Sequence, residues 1–303
     1  MGDADLRVGR LAAGQQGLIT HPQSLAAGLT SDQIDHRVRR RILSVVHRGV
    51  YRLPGVRPCY EGETLAACLA TGGVASHRCG ARLFRLRGFE NERRVEIAVD
   101  GRRAPRLPGV VAHRVDGLES TTIGTIPVAM PAEVLLGLAA VAPDRAEGAL
   151  NDALVKGLVT LPALVRFLQR RGARGRDGTV RLRDLVEDQI CGGAPTESWL
   201  EDRLVEFLRR RGYPPPVRQY RVKVPGGSVR LDTAWPDRRL DVEADGRVWH
   251  TSPSDRRRDA IRDERLAAVD YSIERVTWLQ LVDQPDAVDH RLGRYFPELR
   301  AAA

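Results

Sequence analysis

Apolar residues recur at helical spacing in short blocks along the chain, and glycine- or proline-bearing breaks separate the blocks. Leu6 to Ala13 is the first block; Gly17-Leu18-Ile19-Thr20 interrupts it, a short helix over Pro22 to Ala27 follows, and Gly28 closes that helix. The next segment opens on Thr30 or Ser31 as an N-cap and repeats Ile34, Val38 and Ile42 at intervals of four, which predicts a second helix with one apolar face and one charged face. Leu43 to Leu53 then reads as a two-stranded ribbon, with Val45, Val46, Val50 and Tyr51 around His47-Arg48-Gly49. Helix, turn, basic helix and ribbon, in that order, predict a winged helix-turn-helix over residues 1–55.

The pattern then changes. Arg94 to Asp100 and Gly109 to Arg114 read as strands, and Pro131 to Ala142 and Ala146 to Lys156 as helices, so residues 56–172 form a mixed α/β connector or interaction unit. His77, His113 and Cys79 stand isolated there and suggest no catalytic group. Residues 173–195 read as a linker with a short helix over Val180 to Ile190, punctuated by Gly192-Gly193-Ala194-Pro195. A third unit, residues 196–303, begins with a helix to about Arg211 whose stripe is Leu200, Leu204, Phe207 and Leu208. Strands follow at Val217 to Val224, Val229 to Trp235 and Leu240 to Asp245, then a helix over Ser254 to Val269 and a strand at Ser272 to Trp278. The expected fold class is α/β (α+β), in several domains.

The hairpin at Pro236-Asp237-Arg238-Arg239 carries the chemistry. Centred between Asp237 and Arg238, it sets Asp232 opposite Glu243, with Cβ atoms about 5 Å apart. Two like charges at that separation are destabilising unless a cation or an arginine sits between them. Along the second strand Asp241, Glu243 and Asp245 share one side, and Glu201 borders the apolar stripe of the preceding helix. Carboxylates in this number suit Mg²⁺ or Mn²⁺ and phosphodiester hydrolysis, in which the metal generates hydroxide and stabilises charge on the attacked phosphate. Asp232 and Glu243 are the expected ligands, Glu201 a further ligand or water-positioning group, Asp245 an ambiguous fourth acid, and His250 a secondary candidate. Solvated edge-strand charge is the alternative for the pair.

Charge adds a partner. The net charge of +9 and a pI near 10.0 suit a polyanion, although Lys156 and Lys223 are the only lysines and an arginine-rich composition also reflects coding bias. Arg37, Arg39, Arg40 and Arg41 crowd the end of the second helix and Arg48 sits in the ribbon, all expected on DNA; Arg258 and Arg262 are expected on phosphates from the later helix. Cys59, Cys68, Cys79 and Cys191 form neither a CxxC pair nor a zinc spacing and read as reduced. Met1 to Arg10 lacks a secretory pattern, and Ala132 to Ala142 is about half the roughly 20 residues a bilayer span needs, so a cytoplasmic protein without a membrane partner is expected.

Two resemblances join these readings. Ser198, Trp199, Leu200 and Glu201, with Gln219, Leu231-Asp232, Val242-Glu243, Asp245-Gly246, Trp249-His250, Arg258-Asp259, Arg262-Asp263 and Val276 to Trp278, resemble a bacterial family related to the very-short-patch repair endonucleases. That resemblance implies the restriction-endonuclease-like fold with a PD-(D/E)xK site: a mixed sheet flanked by helices, Mg²⁺ dependence, and metal roles for Asp232, Glu243 and Glu201. Asp245 stands where the general motif has lysine. Gly17 to Thr20, Gly28 to Ser31, Ile34, Val38 and Val46 to Tyr51 resemble the winged-helix domain of AbiEi-type antitoxins of type IV toxin–antitoxin systems, which implies promoter binding. A Mg²⁺-dependent DNA endonuclease of phage defence or repair is the expected function. The alternative is an antitoxin or transcriptional repressor with an inactive nuclease fold; RNA as substrate, a homodimer and a cognate toxin partner stay open.

Overall fold

The computed structural model describes residues 2–101, 105–171, 176–191, 196–245 and 253–301, with the side chains of 196–199, 253–256 and 300–301 excepted. Backbone contacts divide the chain into two compact units, residues 1–160 with 172–185, and residues 161–171 with 186–303.

The first unit begins with α1 (Asp3–Ala13), β1 (Leu18–Thr20), α2 (His21–Ala26), α3 (Ser31–Arg39), β2 (Ser44–His47) and β3 (Val50–Arg52), the three strands forming an antiparallel sheet in the order β1-β3-β2. Both short helices start from a Thr-x-x-Gln capping box: Thr20 accepts from the Gln23 amide and Thr30 from the Gln33 amide, and each glutamine reaches back to the threonine amide. This is the helix, helix and ribbon order expected from the pattern. One expectation needs correction: α3 stops at Arg39 and Arg41 adopts a left-handed φ of 57°, so Ile42 leaves the apolar face and is exposed while Leu43 is buried instead. Val8, Ala12, Ile19, Ile34, Leu43 and Tyr51 make the small core.

The same unit continues through α4 (Tyr60–Thr71), β4 (Val74–Ala75), α5 (His77–Leu83), β5 (Val95–Val99), β6 (Val110–Arg114), β7 (Ser120–Ile123), β8 (Ile126–Ala129), α6 (Pro131–Val141) and α7 (Pro143–Val155). Its five-stranded mixed sheet runs β6-β5-β4-β8-β7, and Leu18 and Val50 of the first sheet share a core with Leu65, Ile97 and Val128. Residues 1–55 and the connector therefore pack as one unit.

The second unit holds α8 (Leu161–Arg171), the end of α9 (Thr179–Cys191), α10 (Thr196–Arg210), β9 (Val217–Val224), β10 (Gly227–Trp235), β11 (Leu240–Asp245), α11 (Pro253–Ala267), β12 (Ser272–Thr277), α12 (Trp278–Asp283) and α13 (Pro285–Leu292). Four strands form a mixed sheet in the order β12-β11-β10-β9, with β11 and β12 parallel and the other pairs antiparallel. The expected stripe of α10 is buried: Leu204 and Leu208 pack with Trp235, Leu240, Val242, Val276 and Phe296. Each such leucine contributes about 1.5–3 kcal/mol by leaving water. Leu266 of α11 packs with Val222, Val224, Leu231 and Ala234, in a separate cluster of the sheet. Among the described residues no helix is long and apolar enough to cross a membrane.

Candidate active site and nucleic-acid interface

The β10–β11 hairpin keeps the expected register, Trp235 opposite Leu240 and Ala234 opposite Asp241, but the ladder ends after those two pairs. Asp232 and Glu243, the next positions on the same face, are not a ladder pair. β11 instead continues against β12 as far as Asp245 opposite Thr277, so the two central strands fork. A guanidinium fills the fork. Arg262 of α11 donates from Nη1 to Glu243 and from Nη2 to the Arg230 carbonyl of β10 at 3.2 Å, and Nη2 lies 3.7 Å from Asp241 Oδ2. A cation beside two acids that share one face of β11 offsets part of the repulsion between them.

Asp241 is the most confined acid of the fork. It is fully buried; Oδ1 accepts from the Thr233 amide at 3.4 Å, while Oδ2 has no hydrogen-bond partner. Burial, followed by the neighbouring Glu243 charge, pushes its carboxyl well above the usual range, and Arg262 offsets only part of that. Glu243 is mostly buried, and its second oxygen accepts from Arg275 Nε at 3.1 Å. Arg275 in turn holds Asp263 through both terminal nitrogens, at 2.9 and 2.6 Å, and the hydrogen bond to Asp263 chiefly strengthens its hold on its proton. The result is a chain of alternating charge: Asp241, Arg262, Glu243, Arg275, Asp263.

The other expected acids are engaged separately. Asp232 accepts from Gln219 Nε2 at 3.3 Å and lies 3.9 Å from Arg230 Nε. Gln219 itself sits at a left-handed φ of 56°, an irregularity in β9. Glu201 of α10 is half-buried and accepts from Arg218 Nη2 at 2.8 Å. Asp245 ends β11 with partners of its own. His250 lies outside the described residues. Among the described residues no three His, Cys, Asp or Glu side chains gather as a metal cluster, so the expected trio Asp232, Glu243 and Glu201 is not one group here. Asp241 is the residue that sequence reading passed over; its place two residues before Glu243 put it on the same side, but alternation alone reads that side as solvated.

For a divalent cation the fork offers two carboxylates, one with a buried oxygen that lacks a donor, and hard oxygen donors suit Mg²⁺ or Mn²⁺. The residues fit such an ion, provided Arg262 yields its place.

The basic residues of the first unit divide likewise. Arg37 is half-buried and committed to structure, donating to Asp5 from Nη2 at 2.8 Å and from Nε at 3.2 Å, and its hydrogen bond holds the Asp5 carboxyl below the usual range. Arg39, Arg40 and Arg41 at the end of α3 and Arg48 in the ribbon are exposed, the disposition a DNA contact requires. In the same unit His77 and His113 are not isolated: their rings stack at 3.5 Å, with Ser76 Oγ 2.9 Å from His77 Nδ1 and His113 Nε2 buried without a partner. The four cysteines are free thiols, Cys59 exposed and the others buried.

A comparison with protein-family models finds no match. The chain is 27% identical over 281 residues to an uncharacterised protein of Mycobacterium tuberculosis strain CDC 1551 / Oshkosh and, equally, to one of strain ATCC 25618 / H37Rv, each covering 90% of this chain and 100% of the relative. Among solved structures, the RV2827C protein of Mycobacterium tuberculosis aligns with 74% of this chain and 90% of its own, at 17% identity and a TM-score of 0.32.

Proposed function

We propose that this chain binds DNA and that its second unit is a phosphodiester hydrolase using Mg²⁺ or Mn²⁺ at the β10–β11 fork. The observation that carries the reading is the Asp241–Glu243 carboxyl pair at the point where the strands part, Asp241 fully buried with its Oδ2 unsatisfied and Glu243 half-buried beside it. Buried like charges cost stability, and a site that retains them is a candidate for function. Asp241 and Glu243 hold the ion in this reading, with Asp232 and Glu201 bordering the pair. The bound ion supplies an activated water and charge stabilisation at phosphorus. Arg262 holds the two carboxyl groups in place from one side, and Arg275 fixes the Glu243 rotamer through its second oxygen. Exposed Arg39, Arg40, Arg41 and Arg48 bind the backbone of DNA, sequence-independently for the most part.

One observation favours a second reading. Both Glu243 oxygens are already bonded to arginine, so Glu243 is held in an ion-pair network of the kind an inactive fold of a repressor or antitoxin would keep. Supercoiled plasmid with Mg²⁺ or Mn²⁺ separates the two. The parent protein is expected to nick it, Asp241→Asn and Glu243→Gln to lose on the order of 100-fold in rate while staying folded, and Asp232→Asn to lose less. No cleavage by the parent, with DNA binding intact, establishes the repressor reading instead.

A further inference from the structure

Beside the fork lies a cavity of about 390 Å³ lined by Ser228, Val229 and Arg230 at the start of β10 and by Arg258, Ile261, Arg262 and Arg265 on one face of α11. The α11 residues stand at intervals of three and four, so the helix turns three arginines to one side, and Arg230 closes the cavity from the sheet. No acidic side chain lines it among the described residues. Arg262 is already paired with Glu243 and Arg230 lies 3.9 Å from Asp232, so the cavity does not need an anion to be stable; what it offers an anion is four guanidinium groups lining one small space, whose fork of donors matches the oxygens of a phosphate. Arg262 belongs to both places: one side of its guanidinium meets Glu243 and Asp241, and the residue also lines the cavity. A phosphate held there is therefore one guanidinium away from the buried carboxylates.

We propose that this four-arginine cavity binds a backbone phosphate of a nucleic acid, the one next to the phosphate presented to Asp241 and Glu243. The adjacency to the fork rests on the hydrolase reading; the binding does not. Ser228 and the arginines supply donors and Val229 and Ile261 give the cavity an apolar wall, so the contact is to phosphate and sugar rather than to a base edge and carries no sequence preference.

The test is binding of a fluorescent single- and double-stranded oligonucleotide to the full chain, in metal-free buffer, beside the variant Arg258→Gln/Arg265→Gln. Arg262, which holds the carboxylate pair, is left in place, and a thermal melt checks folding. The double variant is expected to bind about 10-fold more weakly at low salt and to lower the slope of log affinity against log salt by about 1–2, equally for unrelated sequences. A single Arg258→Gln gives a smaller loss in the same direction. Unchanged affinity and slope in a folded double variant overturn the proposal. Inorganic phosphate is the second arm: if it stabilises the parent but not the variant while oligonucleotide binding is the same in both, the cavity takes a free anion and the nucleic-acid assignment is overturned. Because no cleavage is read, an inactive hydrolase leaves this result standing, and a failed cavity leaves the plasmid assay standing.

Discussion

Arg262 faces two acids and satisfies a backbone carbonyl at once, so its removal leaves Glu243 and Asp241 facing each other, with Glu243 still held by Arg275. Breaking a buried pair by deleting one partner costs more than deleting both. Arg262→Gln is expected to lower stability of the second unit by about 1–3 kcal/mol, reduced from the fully buried case because Arg262 is partly exposed. Adding Glu243→Gln should return a good part of that loss. All four tryptophans, Trp199, Trp235, Trp249 and Trp278, lie in this unit, so urea titrations followed by tryptophan fluorescence report it selectively. Strictly additive losses in the double variant would show that the guanidinium is not what holds the carboxylates together. At this scale the sequence singled out Glu243 as a candidate ligand and Arg262 as a candidate phosphate contact and was silent about their joining, because a contact between a strand and a later helix depends on how α11 crosses the sheet.

Elements carry the next level. The stack of His77, first residue of α5, on His113 of β6 ties a helix to a sheet edge through two neutral rings. Burial first, then His113, Arg78 and Arg176, lowers the His77 pKa to about 3, and burial lowers that of His113 as well. The unfolded chain therefore takes up protons near pH 6.5 that the folded chain refuses, and stability is lost as pH falls from about 6.5 toward 3. Circular-dichroism melts at pH 7, 6 and 5 should show that decline, and His77→Asn, which tolerates the left-handed φ of 50° at this position, should flatten it. An identical decline in the variant would place the acid sensitivity elsewhere. In the second unit α10, α11 and β9 to β12 were legible to within about two residues, since they have clear periods, whereas the helices α8, α12 and α13 were not read from the pattern. The β7–β8 hairpin was not: Ser120, Thr121 and Thr122 are exposed and offer no apolar alternation.

Over the whole molecule, positive charge is the property that a polyanion meets first. Affinity for DNA is expected to fall steeply, by about 10-fold or more, between 50 and 200 mM salt, as the release of several counterions requires. Fluorescence anisotropy with a random duplex measures it; a flat response would remove backbone phosphate as the principal contact and with it much of the case for Arg39, Arg40, Arg41 and Arg48.

The sequence by itself determined many of the local elements, the hairpin register at Ala234 and Asp241, the start of α3 at Thr30 or Ser31 and the segregation of acids onto β11, because each depends on residues a few positions apart. Tertiary structure decided the rest. It joined residues 1–55 to the following connector through a shared core, took Arg37 away from any ligand by pairing it with Asp5, and ended the β10–β11 ladder where Arg262 enters. It also made Asp241, rather than Asp232, the buried partner of Glu243. Those outcomes turn on which face is covered and by what, and burial of a charge is a property of the packed chain, not of the alternation that precedes it.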